Sequence, residues 1–247
     1  MIKIFNDIEE LSHFAAEKFR DIANQAIEKQ DYFAVALAGG STPKTLYRIL
    51  LEKFQNRIDW TKVFVFFTDE RNVLPWQEES NFSMFRENLF FISHKNIFSW
   101  DTGEQDVIPI AFLYEQDIRK FFKDRNMSPV EVDGKEILFP RFDLILLGMG
   151  ADGHTASLFP FAQALDEKEM FTFWVYETEL ERVTLTFPVI NNAANVMFLV
   201  AGSEKAQALR EVLQGEYQPE KFPAQKVKLN DGNLLWLVDS QAARLLQ

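Results

Sequence analysis

The chain has 247 residues and no cysteine, and 26 Lys and Arg against 37 Asp and Glu leave a net charge of −11. Its 47% hydrophobic and 26% charged residues are a globular mixture, and a chain of this size can bury roughly three quarters of its unfolded surface. The charge argues against a nucleic-acid binder, and the missing cysteine excludes disulfides, thiolate metal sites, Fe–S clusters and a cysteine nucleophile. Ile2–Phe5 reads as a strand, and Asn6 or Asp7 can cap a helix carrying Ile8, Leu11, Ala15, Phe19, Ile22 and Ala26 at helical spacing. A strand over 32–37 is followed by Gly39-Gly40-Ser41-Thr42-Pro43 and a helix over 43–54 with proline in its first turn. Val63–Phe67 is a strand with Asp69, Glu70 and Arg71 just past its end, and 80–91 and 109–125 read as helices. Residues 125–140 are the least regular, with Asp133-Gly134 placed to turn a small hairpin. Strands are expected over 143–147, 171–176, 183–187, 195–201 and 234–238, with a helix over 203–214 and a last short helix capped by Asp239.

Several of these strands are apolar on both faces, as in a parallel sheet covered by helices. The alternation of strand and helix from end to end predicts one α/β domain over residues 1–247, a three-layer α/β/α fold with a mostly parallel, doubly wound sheet. No signal peptide or run of 18 apolar residues is visible, so a soluble, cytoplasmic protein is expected. Of the 35 aromatic residues 25 are Phe, which has no polar handle, so most should fill the core.

Ligands of open parallel sheets bind beyond the carboxyl ends of the strands. Four polar segments fall there: 39–44, 69–71, 148–157 and 202–205. Gly39 and Gly40 allow close backbone approach, Ser41 and Thr42 offer hydroxyls, and a helix start favours an anion; an ordinary tight turn has the same composition. Gly148-Met149-Gly150-Ala151-Asp152-Gly153 matches a dinucleotide fingerprint, but Pro160 cuts short the helix that would carry the pyrophosphate. His154, in that glycine-rich turn beside Asp152, is the candidate general base; a loop-tying histidine is the bland alternative. No metal-binding His pair and no G-x-S-x-G occurs, so no metal is expected, and Ser41 and Ser157 are not credible nucleophiles.

Ala38–Pro43 as AGGSTP, FTDER ending at Arg71, and FDLILLGMGADGHTASLFP from Phe142 to Pro160 together resemble 6-phosphogluconolactonases. Arg182-Val183-Thr184-Leu185-Thr186, Gly202-Ser203-Glu204-Lys205 and the ending around Trp236–Asp239 look like further blocks of that family, in order. The resemblance implies a fold shared with glucosamine-6-phosphate deaminase and ribose-5-phosphate isomerase, and hydrolysis of 6-phosphoglucono-δ-lactone to 6-phosphogluconate without organic cofactor or metal. The deaminases carry a glutamate where this chain has Phe159, and a tyrosine where it has Arg71. His154 is then expected to activate water, with Asp69 orienting Arg71 or the sugar hydroxyls. Arg71 would meet either the carbonyl oxygen or the phosphate. Gly39, Gly40, Ser41, Thr42, Arg182 and Lys205, with Gly150, Asp152 and Gly153 of the histidine loop, are the expected substrate-binding set. The partner is a small phosphorylated lactone, and the chain is expected to be a monomer or weak homo-oligomer. A local positive pocket on a negative protein is the geometric requirement: Arg71, Arg182 and Lys205 must share one face.

Overall fold

In the computed structural model, which describes residues 1–103, 106–176 and 179–247, the apolar bursts become strands and the amphipathic stretches helices. Among the described residues the strands are β1 (Ile2–Phe5), β2 (Phe33–Leu37), β3 (Val63–Phe67), β4 (Asp69–Arg71), β5 (Met127–Val132), β6 (Lys135–Pro140), β7 (Leu144–Leu147), β8 (Thr172–Val175), β9 (Arg182–Leu185), β10 (Asn195–Val200) and β11 (Asn233–Asp239). The α-helices are α1 (Ile8–Gln30), α2 (Ser41–Ile49), α3 (Asn81–Asn88), α4 (Val107–Phe122), α5 (Phe187–Asn191) and α6 (Ala206–Gln214). Six strands form one parallel sheet in the order β1-β11-β10-β7-β2-β3. No helix of the described residues is long and apolar enough to cross a membrane.

The side-chain alternation of β2 and β3 separates two helical layers. Phe33 points to one face, where Phe19 of α1 meets it edge-on at 5.3 Å. Phe67 points to that same face and packs on Phe85 of α3. Phe66, one residue earlier, points to the other face and meets Tyr114, Phe121 and Phe122 of α4. Here the phenylalanine content finds its use. Phe66, Phe98, Phe121, Phe122 and Phe142 interlock with centroids 4.4 to 6.1 Å apart, mostly edge-to-face or tilted. Such pairs add about 0.5–1.5 kcal/mol each beyond the area they bury.

Several boundaries differ from the sequence expectation, each for a local reason. The polar residues just past β3 form a strand of their own: β4 pairs antiparallel with β9, and β9 with β8, in a small second sheet. The strand expected over 183–187 stops at Leu185, because Pro188 cannot donate to a ladder and instead occupies the first turn of α5. The helix expected over 43–54 begins at Ser41 and passes into a π-helical turn at Leu50–Phe54. The helix expected over 203–214 opens with a 3-10 turn at Ser203–Lys205 before α6. Asp133 and Gly134, both with positive φ, turn the β5–β6 hairpin as expected. Residues 148–162 contain no helix, so the glycine fingerprint after β7 lacks the helix start a dinucleotide needs.

Candidate active site

Because the six central strands run parallel, the segments that follow β2, β3, β7 and β10 emerge at one end. They surround a cavity of about 200 Å³. The turn after β2 contributes Gly39, Gly40, Ser41 and Thr42. Gly40 has φ 98°, a left-handed conformation that glycine adopts without strain, and it caps α2 so that the first amides of that helix face the cavity end. A Cβ on Gly39 would collide with the Asn81 amide, so only a glycine lets α3 approach this turn.

The loop after β7 contributes Gly150 and His154. The His154 Nδ1 lies 2.6 Å from Asp152 Oδ1, which also accepts the His154 backbone N–H at 3.1 Å. An ionised acceptor at Nδ1 places the ring proton there and leaves the Nε2 lone pair free. Burial works to raise the Asp152 pKa, but the hydrogen bonds and charge of His154 outweigh it and hold the carboxyl below its ordinary value. Gly150 donates its N–H to the His154 carbonyl, and a Cβ there would strike the imidazole and the Asp152 carboxylate. The Phe159 ring packs against the imidazole at 4.3 Å.

The basic residues come from the small second sheet and from the turn after β10. In the β4–β9 ladder Arg71 stands directly opposite Arg182. Like charges in that position repel, and neither guanidinium makes an ion pair among the described residues. The Nε atoms of both are buried without a hydrogen-bond partner. Burial, and then the charge of Arg71, lowers the pKa of Arg182. Its guanidinium lies over the Phe159 ring, 5.3 Å from the centroid. Lys205 ends the turn that follows Gly202, whose N–H is held by the Asp239 carboxylate. Burial lowers the Lys205 pKa, against the opposing charges of Glu204 and Asp239. Arg71, Arg182 and Lys205 all line the cavity, so the positive pocket required on this negative chain is present.

Asp69 also lines the cavity, but it does not hold Arg71. Its carboxylate accepts from Ser157 Oγ at 2.8 Å and Thr68 Oγ1 at 3.0 Å, tying the histidine loop to the end of β3. Arg71 Nη1 donates instead to the Glu79 carbonyl at 2.6 Å and to Asn81 Oδ1 at 3.1 Å. Asp152 and Gly153 stand outside the lining: Asp152 supports His154 from behind, and Gly153 accepts the Ala224 N–H. Asn81, Met149, Ala156 and Leu199 line the cavity without having been singled out. Asn81 fell within the helix expected over 80–91, and its contact with Arg71 depends on how residues 72–79 fold back. Among the described residues no group of three or more His, Cys, Asp or Glu could hold a metal ion.

Comparison with known proteins shows which family and fold the chain shares. The family described as glucosamine-6-phosphate isomerases/6-phosphogluconolactonase matches residues 6–236. A probable 6-phosphogluconolactonase 1 of Arabidopsis thaliana is 34% identical, the match covering 99% of this chain and 93% of the relative. A 6-phosphogluconolactonase of Synechocystis is 38% identical over 90% of this chain and 88% of its own length. Among solved structures, the 6-phosphogluconolactonase of Trypanosoma brucei superposes with TM-score 0.85 at 28% identity, covering 100% and 98% of the two chains. That of Thermotoga maritima gives 0.79 at 31% identity over 97% and 99%. A monomeric glucosamine-6-phosphate deaminase, at 21% identity and TM-score 0.77, shares the fold.

Proposed function

The chain belongs to the glucosamine-6-phosphate isomerase/6-phosphogluconolactonase family, and from that premise we propose how its cavity works. The protein is a 6-phosphogluconolactonase, an ester hydrolase that opens 6-phospho-D-glucono-1,5-lactone to 6-phospho-D-gluconate in the pentose phosphate pathway. The observation that carries the reading is the pair of facing, unneutralised arginines beside a histidine whose Nδ1 is already committed to a carboxylate. Two cations held together attract an anion, beyond what the nearby Asp69 and Glu70 charges offset, and a phosphorylated lactone supplies one.

His154 Nε2 takes a proton from water as the water oxygen attacks C1 of the lactone. Asp152 stabilises the imidazolium that forms. The negative charge on the carbonyl oxygen is met by a guanidinium or by backbone N–H groups. As the tetrahedral species collapses, the C1–O5 bond breaks and the imidazolium returns its proton to the leaving ring oxygen, which becomes the C5 hydroxyl. Arg182, Lys205 and the amides at Ser41 and Thr42 bind the phosphate; Arg71 serves the carbonyl end or the phosphate. Phe159 beside His154 supplies no second carboxyl for proton relay, which favours hydrolysis over aldose–ketose chemistry.

We also propose that the enzyme acts in the cytoplasm, as a monomer or weak homo-oligomer. A charged phosphosugar does not cross membranes, so its lactone must be opened where it is made; sedimentation tests the oligomeric state. The deciding experiment generates the lactone in situ by oxidation of glucose 6-phosphate and follows its disappearance with and without the protein. Acceleration over spontaneous decay is expected, and an unchanged decay rate refutes the reading.

A further inference from the structure

The cavity depends on a residue that neither the histidine loop nor the basic set contains. Asn81 opens α3, is almost wholly buried, and lies in contact with two separate segments of the site, β4 and the turn after β2. Its Nδ2 donates to the Asp69 carbonyl at 3.0 Å, its Oδ1 accepts from Arg71 Nη1 at 3.1 Å, and its side chain fills the space left by the missing Cβ of Gly39. Its backbone N–H donates to Glu70 Oε1 at 2.8 Å. The buried Glu70 carboxylate further accepts from Arg71 N, Ser80 Oγ and Phe82 N, which clamps the start of α3 onto β4.

We infer that Asn81 is a positioning residue for the reaction, fixing the Arg71 guanidinium over the cavity while leaving its full charge for the substrate. Three features support this. Arg182 stands opposite Arg71 and repels it, so Arg71 needs an anchor that does not depend on substrate. Both acceptors that hold Nη1, the Glu79 carbonyl and the Asn81 amide oxygen, are neutral. A carboxylate in either place would form an ion pair and quench the charge. Third, the amide cannot flip: the Asp69 carbonyl accepts only a donor, so Nδ2 must face it and Oδ1 must face Arg71. Asn is the side chain of this size that offers a donor to one neighbour and a neutral acceptor to the other. Asp would present oxygen to a carbonyl on one side and neutralise the guanidinium on the other.

The inference rests on the reading of Arg71 as a substrate contact, and a double-mutant cycle on kcat/KM tests the two separately, with spontaneous lactone decay subtracted. Asn81→Ala is expected to lower kcat/KM about 10-fold or more, and Arg71→Ala to lower it further. Adding Asn81→Ala to Arg71→Ala should change kcat/KM by less than about 2-fold, because the residue acts through the guanidinium already removed. Asn81→Asp, of equal size, should be worse than Asn81→Ala and should weaken the binding of inorganic phosphate as a competitive inhibitor. Full multiplication of the two alanine effects, or wild-type kcat/KM in Asn81→Asp, overturns the assignment. Wild-type kcat/KM in Arg71→Ala overturns the underlying reading and the assignment with it. Asn81→Ser, too short to reach Arg71, carries the cycle if Asn81→Ala does not fold.

Discussion

The bond between His154 Nδ1 and Asp152 decides which end of the imidazole is basic, and it makes the two residues separable by experiment. Removing the base outright, as His154→Ala, is expected to lower kcat about 10²–10⁴-fold with a modest change in KM. Asp152→Asn retains a side chain of the same size but removes the charge that stabilises the imidazolium and fixes the tautomer. It should therefore lower kcat too, by about 10-fold or more, while KM stays within a few-fold. Steady-state kinetics on the two variants check both, and an Asp152→Asn enzyme with full kcat would leave the carboxylate as a loop tether only. Arg182 and Lys205 belong to the other half of the cavity. Each loses part of its preference for the charged form through burial and makes no ion pair among the described residues. Their charge is available to a ligand anion, so Arg182→Ala and Lys205→Ala are expected to raise KM about 10-fold or more and to leave kcat within a few-fold. If either variant instead loses kcat at unchanged KM, that residue serves the developing oxyanion rather than the phosphate.

At the scale of elements, Gly150 shows how a loop acquires rigid geometry. Gly150 is the floor on which the His154–Asp152 pair rests, and a methyl group there would push the imidazole away from the cavity. Gly150→Ala should reduce kcat about 100-fold or more with little change in Tm, a combination read by kinetics and thermal unfolding on one sample. An equal loss of stability would show that the turn, rather than the imidazole, absorbs the clash. The sequence makes this loop legible because its residues are contiguous: a strand, a glycine-rich turn and a histidine stand within one short run. The turn after β2 is legible for the same reason, and the parallel sheet follows from strands apolar on both faces. The second sheet is not legible, because β4 and β9 are three and four residues long and pair across more than 100 positions. Arg71 and Arg182 could each be picked out, but their direct opposition could not, since it is a matter of register between distant segments. Asn81 is hidden in the same way: its place in the helix expected over 80–91 accounts for it locally, and its contacts with Gly39, Asp69 and Arg71 exist only after the fold closes.

Across the whole molecule, the charged chemistry lies at the carboxyl ends of the parallel strands, and the opposite end carries one buried acid with no part in it. Asp143 precedes β7 and ties three elements together, accepting from Gln30 Nε2 of α1 at 2.9 Å and from the Ala34 N–H of β2 at 2.8 Å. Burial raises its pKa from 3.8 to about 6, against the lowering effect of those two hydrogen bonds and of the nearby Lys29 and Arg141 charges. Below pH 3.8 the group is protonated in both folded and unfolded chains and makes no pH-dependent difference. Between 3.8 and about 6 the unfolded chain loses this proton while the folded chain keeps it, so stability falls as pH rises. Above that window both forms are ionised and the full cost, at most about 3 kcal/mol, persists at neutral pH. Asn can meet most of the same surroundings without charge, its oxygen accepting from Ala34 and its amide donating to Gln30 once that side chain turns its own oxygen inward and gives up its long 3.4 Å bond to the Tyr32 carbonyl. Asp143→Asn is therefore expected to raise Tm by several degrees at pH 7.5, with the advantage shrinking as pH is lowered toward 4. Unfolding followed across this range in both proteins provides the check. A constant difference at all pH values would assign the gain to packing or hydrogen bonding, and a lower Tm throughout would mean that the carboxylate's two accepted bonds outweigh its desolvation. Because Asp143 is remote from His154 and the arginines, kcat/KM of the variant should match the wild type, which separates stability at one end of the sheet from chemistry at the other.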